Sequence, residues 1–110
     1  MISASLIVPL LLSAQMMAGT ERQQYSRCLR TFLTTQLEER VAPAAFDTAI
    51  AGACSQQEAA YRTAYIAAAT RAGDTRPTAE RDVATEVEDL RSNFKEQFRD
   101  LQPEPSAGSQ

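Results

Sequence analysis

Apolar side chains recur along this chain at steps of three and four, the spacing that lines up one face of an α-helix. In the first stretch they are Tyr25, Leu29, Phe32, Leu33, Leu37 and Val41. Thr20 and Gln23 stand at the capping-box spacing, so a helix is predicted to start at Thr20. Arg40-Val41-Ala42-Pro43 ends it, because proline disfavours helical geometry in the residue before it and suits the first turn of a new helix. A second helix is predicted from Pro43 to Arg71, with Phe46, Ile50, Cys54, Tyr61, Tyr65 and Ala68 on its buried side. Gly52 followed by Ser55-Gln56-Gln57-Glu58, again a capping-box spacing, leaves open whether this helix divides near Cys54. Gly73-Asp74-Thr75-Arg76-Pro77 reads as the next connection. A third helix from Thr78 to Leu101 carries the clearest stripe: Val83, Val87, Leu90, Phe94, Phe98 and Leu101. With no period-two alternation, the expectation is an all-α, three-helix arrangement built on an antiparallel helical hairpin, with a break near Gly52–Ser55 left open.

The ends of the chain have a different character. Residues 1–18 hold the run Leu6-Ile7-Val8-Pro9-Leu10-Leu11-Leu12, then small residues at Ser13 and Ala14, and no charged side chain precedes Glu21. This is the pattern of an export signal cleaved near Ala14 or Ala18, although it lacks basic side chains ahead of the apolar run. An uncleaved anchor is the alternative, opposed by Pro9 and by an apolar run shorter than the ~20 residues that span a bilayer. Residues 102–110 contain two prolines and no large apolar side chain, which predicts a disordered tail and leaves 19–101 as a single helical domain.

Composition makes the core thin. Hydrophobic residues are 44% of the 110, but many are alanine, with only four Phe, three Tyr and no Trp. Small domains of this kind often rely on a covalent staple. Only Cys28 and Cys54 are present to supply one, and an exported chain meets an oxidising compartment. Facing residues of an antiparallel hairpin have numbers with a near-constant sum, here about 82 to 84 for a turn at Ala42-Pro43. Cys28 with Cys54 and Phe32 with Ile50 sum to 82, and Leu37 with Phe46 sums to 83. A disulfide between Cys28 and Cys54 is therefore expected, with Ser26 and Ala53 small enough to allow the approach. The cysteines are distant in sequence and have no histidine beside them, which argues against a redox pair.

The remaining chemistry narrows by elimination. There is no histidine, which removes the commonest general base and metal ligand, and the four glycines do not cluster into a phosphate loop. Residues 74–104 carry nine acids and five bases, net −4, against five acids and six bases in 15–73, net +1. Asp82, Glu86 and Asp89 share one helical face, yet acids early in a helix are ordinarily a solvated face favoured by the helix dipole. Arg22, Arg27, Arg30 and Arg40 alternate with Glu21, Glu38 and Glu39 and lack interleaved aromatics, so no nucleic acid is expected. Tyr61 and Tyr65, one turn apart, read as core with their hydroxyls near the surface.

The Cys28…Cys54 hairpin, the Phe46…Cys54 segment, the Glu58-Ala59-Ala60-Tyr61-Arg62 run and the amphipathic last helix together resemble small exported helical proteins of Gram-negative bacteria, across residues 21–101. No activity is established for that group, so the resemblance implies compartment and fold alone. The expectation is a periplasmic or secreted, non-enzymatic protein without cofactor, catalytic site or metal site. It would work through an unknown protein partner or as a homo-oligomer, with no stable membrane span once the signal is cleaved. A small-molecule or metal-ion binding module is the alternative.

Overall fold

The computed structural model describes the backbone of residues 2–103 and the side chains of residues 18–103. The side chains of residues 1–17, all but the last residue of the expected export signal, and the expected tail from residue 104 onward, lie outside the described residues. The protein is all-helical: α1 (Ile2–Glu38), α2 (Pro43–Ala49), a 3₁₀ turn (Ile50–Gly52), α3 (Ser55–Arg71) and α4 (Arg76–Asp100). α1 and α3 form an antiparallel hairpin, α4 packs against both, and α2 lies on α4. The result is an elongated molecule of 73 × 24 × 20 Å.

Several boundaries differ from expectation, each for a local reason. α1 passes through Thr20 without a break, so Thr20 does not begin a helix. An N-cap needs non-helical backbone, and nothing in the preceding residues interrupts the helix. At its other end Arg40 takes a left-handed φ of 56°. Arg40 N–H donates to Leu37 O and Val41 N–H to Gln36 O, the paired bonds of a Schellman stop with arginine in glycine's usual place. Gly73, at φ 109°, closes α3 in the same way through Thr70 O and Ala69 O. α4 starts two residues earlier than Thr78, because Thr75 Oγ1 accepts from Thr78 N–H at 3.3 Å and Pro77 fits the first turn.

The division near Cys54 is real. Ala53 is extended (ψ 140°), and Cys54 is left-handed (φ 61°, ψ 39°) immediately before α3. Ser55 is the first residue of α3 rather than its cap, so the Ser55/Glu58 capping box does not form. The divided helix also changes the hairpin register. Phe46 stacks on Phe32 at 5.5 Å, a pair summing to 78, and on Phe98 of α4 at 4.0 Å with rings 2° from parallel. The straight-hairpin pairs Phe32/Ile50 and Leu37/Phe46 therefore do not describe this end. The left-handed residue turns α2 out of line with α3 and onto α4.

One core runs through the bundle. Tyr25, Leu29, Leu33, Phe46, Ile50, Tyr61, Val83, Val87, Leu90, Phe94 and Phe98 are buried, and Phe32, Leu37, Val41, Tyr65 and Ile66 pack at its margin. Ala79 joins the buried α4 stripe, whereas Leu101, beyond the last helical turn, is 56% exposed rather than part of it.

Candidate functional site

The two cysteines predicted to pair form a disulfide, with Cα atoms 6.0 Å apart. Each comes from a different kind of backbone: Cys28 from within the C-terminal third of α1, Cys54 from the left-handed residue between the 3₁₀ turn and α3. The bond thus fastens α1 to the bend itself. Both side chains are half-buried.

Directly beside the bend lies a polar cluster that sequence reading did not single out. Arg91, from α4, has a side chain only 12% exposed. Its Nη2 donates to Ala51 O in the 3₁₀ turn at 3.0 Å and to Glu58 Oε1 of α3, while Nη1 reaches Glu88 at 3.4 Å. Glu58 accepts a second bond from Arg62 Nε at 2.8 Å. Tyr25 of α1 is fully buried beside this guanidinium, but neither its hydroxyl nor Arg91 Nε makes a hydrogen bond of normal geometry. Burial raises the Tyr25 pKa above its ordinary value. For Arg91 burial acts against the charge, yet Tyr25 and Glu58 outweigh it and the pKa is raised. The cluster joins all three long helices and the bend, and its ligands are one another. Its sequence signal is faint: Arg91 follows Leu90 and sits four residues after Val87, a charge at the edge of the apolar stripe. A second cross-element ion pair, Arg99 Nη2 to Asp47 Oδ2 at 2.5 Å, holds α2 to α4.

On the acidic face, Asp82 and Asp89 are exposed. Tyr61 is buried, and its ring meets Tyr65 edge-on at 6.1 Å. Burial foremost, and then nearby carboxylates, raise the pKa of both tyrosines. Tyr65 lines a shallow groove of about 300 Å³ with Ala18, Ala68, Ala69, Ala72 and Asp74. Arg27 and Arg30 lie on the exposed side of α1 among Thr31, Thr34 and Thr35.

The outward face of α3 is unlike the others. Gln56, Ala60, Thr63, Ala67 and Thr70 are all exposed and recur at alternating steps of four and three without a charge among them, and Arg71, also exposed, closes the face at the end of the helix. On one flank, Ala59, Ala60, Thr63, Ala64 and Ala67 form with Glu21 of α1 a shallow groove of about 460 Å³. On the other, Thr63, Ile66, Ala67 and Thr70 meet Arg76 at the start of α4. By contrast, α1 presents Arg22, Arg27 and Arg30 to solvent, and α4 presents Glu80, Arg81, Asp82, Glu88 and Asp89.

No protein-family model, curated protein or solved structure matches this chain. Among the described residues, no helix is long and apolar enough to cross a membrane.

Proposed function

We propose that this is a non-enzymatic helical protein, exported to the periplasm or secreted, that acts through protein–protein or self-association. The observation that carries the reading is the stretch of the outer face of α3 from Gln56 to Thr70, which bears no charge ahead of Arg71 in a chain 23% of whose residues are charged. Solvent-facing helix surfaces are normally polar and charged, whereas the cores of protein interfaces are depleted of charge. Alanine and threonine also let a second helix approach closely, and four-three spacing is the pattern by which such helices interlock. The disulfide supports the compartment, since such bonds persist where the surroundings are oxidising.

Light scattering on the purified chain across a concentration series, followed by cross-linking in envelope extracts, tests the proposal. Association that Thr63→Arg weakens at least tenfold would support it, provided the melting point of that exposed-site variant stays within about 2 °C of the parent. A protein that stays monomeric and captures nothing that Thr63→Arg releases would overturn it.

The groove at Tyr65 favours a second reading, a small-molecule binding module. Its volume is at the lower end of the ~300–1,000 Å³ usual for ligand sites. A thermal-shift screen of metabolites, with Tyr65→Ala as control, separates the two readings.

A further inference from the structure

We draw no further inference here: the strongest candidate, the small-residue face of α3 between Gln56 and Thr70 as a contact between two copies of the chain, belongs to the association surface already described, and nothing in the structure shows what covers it.

Discussion

Two residues, Arg40 and Cys54, take a backbone conformation that costs a non-glycine residue about 1–2 kcal/mol. For Arg40 the side chain is exposed and makes no demand on the core, so Arg40→Gly should stabilise the protein by roughly 1 kcal/mol, read as a shift in urea midpoint at unchanged slope. No gain would mean that the α1 stop is not held in this geometry in solution. Arg91 presents the opposite case. Removing it leaves Glu58, 18% exposed, with Arg62 alone and frees the Ala51 carbonyl. Losing one partner of a buried pair costs about 3–5 kcal/mol, and the residual exposure places Arg91→Ala near the low end. In a double-mutant cycle with Glu58→Ala, the second truncation should cost much less than it does alone; simple additivity would show that the two side chains do not interact.

At the scale of elements, α2 is the least self-sufficient. Seven residues are too few for a helix to persist alone in water, and Ala42 offers it no side-chain cap. It is held by Phe46 and Ile50 in the core, by the Asp47–Arg99 pair and by the Arg91 bond to the 3₁₀ turn. Phe46→Ala should therefore cost roughly 3–5 kcal/mol and raise amide exchange across residues 43–52 more than in α4. An effect under about 1 kcal/mol would mean that α2 does not dock on Phe98. The long helices were the legible part of the fold, because Val83, Val87, Leu90, Phe94 and Phe98 repeat at helical spacing whatever they pack against. The direction of α2 was not. Gly52 and Ser55 mark an interruption in the sequence, but the turn out of line falls on Cys54, a residue with no special preference for it.

For the whole molecule, the disulfide and the buried tyrosines set the conditions under which it stays folded. Closing a loop with a sequence separation of 26 is worth about 3.5 kcal/mol in the chain-entropy model. Reduction should lower the melting temperature by more than about 10 °C, and an unchanged melt under reductant would contradict a stabilising bond. At alkaline pH the tyrosines matter. With pKa values raised by burial above 10.0, Tyr25 and Tyr61 hold their protons more tightly folded than unfolded. Their contribution is whole below pH 10 and is lost as pH rises above it. Tyrosinate absorbance and helical circular dichroism should then change together above pH 10, and Tyr25→Phe should move the transition upward. Ionisation of all three tyrosines at their ordinary pH with the helices intact would contradict this.

The helical class, the apolar stripes and the pairing of Cys28 with Cys54 are legible in the amino-acid order alone, because helical periodicity and the number of cysteines are local or arithmetical properties. Packing between distant segments sets Phe46 against Phe98 instead of continuing the hairpin, closes the Arg91 cluster over the bend, and leaves the outer face of α3 exposed. These outcomes depend on which faces of distant segments compete for the same buried volume. A spacing rule shows that a residue lies on an apolar edge, but not which helix reaches it.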